Sequence, residues 1–241
     1  MDFDGARLVG GTPANLGDHP YLVGLVITLN SLEISACGST LISNTRAVTA
    51  AHCKLTPGNS AADFEMVLGS ILLFSGGTRI HVHHSDVETH EDFNVYTLVN
   101  DVAILKFDWI PYTDVIRPIG LYSGDDLFVG SWAQTAGFGR KGETTPITTD
   151  QFLSHTSLQV ITNEQCRTAY PTAHASIKNF TLCVATGPAG ATCFGDSGGP
   201  LVLNNQLIGI TSFAYAGGCE QGYPAGFSRV SYFVPWFAER M

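Results

Sequence analysis

The apolar runs of this 241-residue chain are short, and turn-forming residues close each of them. YLVGLVITL (21–29), STLISNTRAVTA (39–50), EMVLGSILLF (65–74), RIHVHH (79–84), DVAILKF (101–107) and PLVLNNQLIGITSF (200–213) are rich in Val, Ile, Leu and Phe. Such runs between Gly, Pro, Asn and Asp read as strands. Asn204-Asn205 inside the last run reads as a hairpin turn. With 26 glycines and 11 prolines, little uninterrupted chain remains for long helices, and no helical pattern alternates with the strands. The expected class is all-β, a barrel or sandwich, rather than a parallel α/β sheet. Two exceptions to the strand pattern stand out. RKGETTPITTD (140–150) reads as an exposed loop open to nicking, and SYFVPWFAERM spaces Phe233, Trp236 and Phe237 as on one face of a short C-terminal helix.

Charge and cysteine usage narrow the function classes. A net charge of −9 argues against nucleic-acid partners, which need basic patches. No apolar run reaches membrane-spanning length, so no membrane partner is expected. The six cysteines show no CxxC zinc pattern and fit three disulfides, which implies an oxidising compartment; spacing alone leaves 15 pairings open. The start, MDFDGARLVGG, has no hydrophobic signal segment. A cytosolic protein and a secreted one whose signal has been trimmed both fit that; the cysteines favour the secreted, extracellular protein.

TCFGDSGGP (192–200) sets one serine between an aspartate and two glycines. A surface turn would use the same residues. Two other segments favour chemistry: TAAHC (49–53) puts His52 at the end of an apolar run, and NDVAILKF (100–107) puts Asp101 at the start of another. A serine hydroxyl is a poor nucleophile until a base takes its proton, and the base needs a carboxylate to fix its tautomer and stabilise its charge. His52, Asp101 and Ser197 supply these three types. Each alone has an ordinary structural explanation; all three in one β-rich, cysteine-paired chain are a specific combination.

These segments, with RLVGG (7–11), TAGFG (135–139), ITSF (210–213) and PAGFSRV (224–230), make the chain resemble the chymotrypsin/trypsin family of serine endopeptidases from Leu8 onward. The resemblance implies two six-stranded antiparallel Greek-key β-barrels over 8–117 and 118–229, a leading segment 1–7 and a C-terminal helix over 230–241. The roles that follow are those of the family. His52 is general base and then acid, Asp101 orients it, Ser197 is the nucleophile, and the N–H groups of Gly195 and Ser197 form the oxyanion hole. Cleavage after Arg7 would free a Leu8 ammonium to pair with Asp196. Because residues 1–7 precede that bond, the chain is expected to be a precursor, with the loops around Gly195 and Ala191 displaced and the Gly195 N–H turned away. The implied disulfides are Cys37–Cys53, Cys166–Cys183 and Cys193–Cys219.

For the substrate pocket the resemblance implies a floor at Ala191 and walls at Ala214 and Ala225, beside Phe194. Ser212, Phe213 and Ala214 would hold an extended peptide as an added strand. An uncharged, slightly narrowed pocket predicts cleavage after medium or small apolar residues rather than after Lys or Arg. Expected partners are protein or peptide substrates, an activating trypsin-like protease and protein protease inhibitors, for a monomer. Neither cofactor nor metal is expected. His81, His83, His84 and His90 read as solvated strand histidines rather than a metal site, and SILLFSGGTRI (70–80) lacks carboxylates for calcium. Asn179-Phe180-Thr181 fits the N-glycosylation triplet. The rival reading is a catalytically silent relative kept as a binding module, which normally lacks a triad member.

Overall fold

The computed structural model describes residues 10–140, 142–170, 176–187 and 190–241; Arg7 and Leu8 lie outside them. Strands β1 (Thr12–Pro13), β2 (Leu22–Leu29), β3 (Ile34–Ser43), β4 (Arg46–Thr49), β5 (Leu55–Thr56), β6 (Asn59–Leu68), β7 (Thr78–His83), β8 (Val87–Thr89) and β9 (Ala103–Lys106) fill the first half. All but β1 belong to one antiparallel sheet in the order β5-β6-β2-β3-β4-β9-β8, with β7 paired on β6. The second half holds β10 (Gly120–Leu121), β11 (Trp132–Gly137), β12 (Ser154–Ile161), β13 (Thr181–Val184), β14 (Pro200–Leu203), β15 (Gln206–Phe213) and β16 (Ala225–Arg229). Here the path β12-β11-β14-β15-β16-β13 returns to β12 through a further β12–β13 pairing, so six strands close into a barrel. The first sheet curls without closing its ring of pairings. The all-β expectation holds, with one closed barrel and one open one.

The expected strands split where the backbone must turn. The run 39–50 is two strands broken at Asn44-Thr45. The run 65–74 stops at Leu68, where Gly69 takes φ +59°. Ile71, Leu73 and Phe74 instead pack with Ala14, Phe138 and Leu153 between the two halves. Asn204 and Asn205 both have positive φ, as a tight two-residue hairpin loop requires. β1 crosses over, pairing Thr12 with His155 in the second sheet.

Among the described residues two α-helices complete the fold, α1 (Asn163–Ala169) and α2 (Val230–Ala238). α1 was not expected from periodicity. A reciprocal capping box starts it: Thr162 accepts from the Gln165 N–H, and the Gln165 side chain accepts from the Thr162 N–H. The Cys166–Cys183 disulfide then ties it to β13. α2 buries Phe233, Trp236 and Phe237, as its spacing predicts, in the core of the first sheet. The end of the chain thereby straps the second half onto the first. The Trp236 indole N–H donates to Glu91 at 2.7 Å, and His90 stacks on the indole.

Candidate active site

β4 and β9 pair Thr49 with Ala103. His52 lies three residues beyond Thr49, and Asp101 two residues before Ala103, so one register brings both to the same end of the ladder. The Cys37–Cys53 disulfide fixes the short 3₁₀ turn that carries His52. Asp101 is fully buried, and one of its carboxylate oxygens accepts the His52 backbone N–H at 2.9 Å. The other lies 2.7 Å from His52 Nδ1 and also accepts the Ser212 hydroxyl at 2.6 Å. With Asp101 acting as acceptor, Nδ1 carries the proton and Nε2 is left facing the cleft. Burial works against the charged imidazole, but the Asp101 charge and hydrogen bond outweigh it, so the His52 pKa rises above its ordinary value.

Ser197 arrives from the second half on a turn packed backbone to backbone. The Gly38 N–H donates to the Ser197 carbonyl at 2.7 Å, and the Gly198 N–H to Thr211 at 2.8 Å. A Cβ on Gly38 would lie 2.7 Å from the Gly199 Cα, and one on Gly198 would overlap Thr49, so glycine is what lets the halves meet here. The Ser197 hydroxyl and the His52 ring line the same two cavities without a hydrogen bond between them. Such bonds commonly tighten only when substrate is bound.

Asp196 faces the other way, into the protein. It is 1% exposed, and its carboxylate accepts the N–H groups of Gly139 at 2.8 Å and Cys193 at 2.9 Å. Any Cβ on Gly137 or Gly139 would overlap it. Burial outweighs the two hydrogen bonds, and its pKa is pushed up to about 7. No described cation pairs with it. The Phe194 carbonyl accepts from the Arg140 N–H at 2.8 Å, which in a trans peptide turns the following Gly195 N–H the opposite way. Neither the Gly195 nor the Ser197 N–H donates to another described residue. The displaced Gly195 expected of a precursor is therefore not what the structure has. Among the described residues, two backbone donors and the glycine cage around Asp196 seat this turn.

A cavity of about 340 Å³ adjoins Ser197, lined among others by Phe194, Ser212, Phe213, Ala214, Tyr215 and Leu98. None of its described lining residues is Asp, Glu, Lys or Arg. Ala191 and Ala225, read as floor and wall, are buried, and Ala225 packs in the core of the closed barrel. The Cys193–Cys219 bridge closes the cavity's edge. Sequence reasoning missed the aromatic layer behind it. Tyr215 stacks on Tyr223 with centroids 3.9 Å apart, Tyr170 meets Phe213 edge-on, and the Tyr170 hydroxyl donates to the Pro224 carbonyl. It also missed the Ser212 side chain, whose bond to Asp101 needs the two halves docked.

Histidines outside the site have local partners: His81 pairs with Asp63, while the His83 and His84 rings lie tilted against one another with centroids 4.2 Å apart. Asn179 is exposed. No described helix is long and apolar enough to cross a membrane.

The trypsin family matches residues 8–237. The chain is a serine protease of the trypsin family. It is 39% identical to a collagenase of Hypoderma lineatum over 97% of this chain and 86% of that protein. It is 32% identical to brachyurin of Leptuca pugilator over 95% of this chain and 96% of that one. The solved structure of HL collagenase superposes with a TM-score of 0.87 at 37% identity, covering 97% of this chain and 98% of its own.

Proposed function

We propose that this trypsin-family protease is a secreted endopeptidase cutting after uncharged apolar residues of medium or small size. The observation that carries the proposal is the hydrogen-bonded run Ser212–Asp101–His52 beside Ser197, with two unengaged N–H groups at Gly195 and Ser197. In this reading His52 Nε2 takes the Ser197 proton as the hydroxyl oxygen attacks the peptide carbonyl. Asp101 holds the resulting imidazolium, and the two N–H groups receive the oxyanion. The imidazolium then protonates the leaving amine, and water activated by the same ring hydrolyses the acyl-enzyme. Specificity follows from the uncharged cavity at Phe213 and Ala214, which offers a Lys or Arg side chain no counter-charge. One methylene of misfit there is worth ~1–3 kcal/mol, so selection among apolar residues is soft.

Activation belongs to the same reading. Asp196 is a buried carboxylate without a described cation, and a Leu8 ammonium freed by cleavage after Arg7 would supply one. An activating protease of trypsin-like specificity is the matching partner. Limited trypsin treatment should remove seven residues and raise activity. A fluorophosphonate should then label Ser197 stoichiometrically, and a peptide library should show cleavage after Leu, Met or Ala. No labelling would favour a silent binding module, and a profile dominated by Lys or Arg would overturn the specificity.

A further inference from the structure

Beside Ser197 the cleft runs into a second cavity, of about 460 Å³. The two cavities share only His52, Phe194 and Ser197, so they diverge from the reacting atoms. With the acyl part of a substrate along Ser212–Ala214, the leaving-group part enters the second cavity. Leu29, Ile34, Ala36 and Ile147 make part of its wall apolar. Its charge is one-sided: Lys54 and Arg140 line it, and no described Asp or Glu does, in a chain with 21 acidic and 12 basic residues.

The two cations are not equivalent. The Lys54 ammonium is spent on the Val87 carbonyl at 2.6 Å. Arg140 joins no ion pair among the described residues, and its buried Nε has no hydrogen-bond partner. Its guanidinium lies 5.3 Å from the centroid of the Phe194 ring, which is 55% exposed at the junction of the cavities. A guanidinium stays charged at any relevant pH and presents a planar fork of donors that matches a carboxylate. Its place over an aromatic face favours holding it beside the cavity junction.

We propose that Arg140 selects substrates with an acidic side chain in the segment just after the scissile bond. This rests on the acyl-transfer reading of Ser197. An extended peptide advances ~3.3 Å per residue with side chains alternating, so the first two or three leaving-group residues pass the Arg140–Phe194 platform. A lysine in the same segment meets an unneutralised cation and is disfavoured.

The experiment uses the activated enzyme and peptides with one common acyl half and Leu at the cleaved position. The second residue after the scissile bond is Glu, Ala or Lys. The expected kcat/KM ratio for Glu over Lys is roughly tenfold at low ionic strength and shrinks with added salt. Arg140→Gln should bring that ratio close to one, while Arg140→Lys should keep part of it. The ratio is read within each variant, so a general loss of activity does not obscure it. A ratio near one in the unmodified enzyme, or one that survives in Arg140→Gln, overturns the inference. Failure of a fluorophosphonate to label Ser197 would instead overturn the reading on which it rests.

Discussion

Asp196 is a buried carboxylate with no paired cation among the described residues, and the cost of ionising it there can be measured. An aspartate has an ordinary pKa of 3.8, and burial moves this one to about 7. Below pH 3.8 both folded and unfolded chains hold the proton, and Asp196 costs nothing. Between the two values the unfolded chain ionises first, so stability falls by ~1.36 kcal/mol per pH unit. Above pH 7 both states are ionised, and the full penalty of ~4 kcal/mol persists. From pH 5 to pH 8 the expected loss is therefore about 2–3 kcal/mol. His52 and His19 also titrate near this range, so the contribution is isolated by comparing the uncleaved chain with its Asp196→Asn variant. The amide forfeits one of the two backbone bonds, a cost independent of pH that cancels between the two conditions. Urea unfolding at pH 5 and pH 8 should show the midpoint of the unmodified chain falling by roughly 1 M more than that of the variant. In the cleaved chain that excess should vanish or reverse, because a carboxylate paired with an ammonium has a depressed pKa. Equal pH responses of the uncleaved chain and the variant would refute the argument.

Four further outcomes are expected. Ser197→Ala, His52→Ala and the double variant should lose nearly the same activity, because the two groups act in one step; additive losses measured by kcat/KM would show that they do not. The alkaline-going limb of the pH–rate profile should have its midpoint above the ordinary imidazole value of 6.5, since the His52 pKa is raised, and Ser212→Ala should lower kcat/KM by roughly 10- to 100-fold through loss of a hydrogen bond to the Asp101 carboxylate worth ~1.5–3 kcal/mol; an unchanged kcat/KM would show that this bond contributes nothing. His19 is buried with its Nε2 2.7 Å from His155 Nδ1, and its pKa is lowered to about 4, so stability carried by the neutral ring is present above pH 6.5 and lost on acidification towards pH 4; His19→Gln should flatten that acid limb in thermal unfolding.

Short apolar runs and frequent turn residues dictate β-structure locally, and they do so wherever the chain lies in space. That is why the Asn204-Asn205 hairpin and the aromatic face of α2 were legible without coordinates. The residue types at His52, Asp101 and Ser197 were legible for a related reason: acyl transfer admits few side chains, and the segments around them match one family closely. The pairing Cys37–Cys53 came from that resemblance and not from spacing, which left 15 arrangements open.

Only the tertiary structure decided which groups meet. Leu68 ends its strand because the chain turns at Gly69 and the following apolar residues find a core between the halves. The third bond on Asp101 comes from Ser212, 111 residues away, and forms only because β4 and β15 lie side by side. Arg140 reads in the sequence as the basic first residue of a polar loop. It becomes a candidate selector of substrate because folding stacks it on Phe194 and brings no described carboxylate to it. Local pattern fixes what each segment can be, since dihedral preference and side-chain period act over a few residues. Burial, charge pairing and the free face of a donor are sums over neighbours distant in sequence, and they exist only once the halves are packed together.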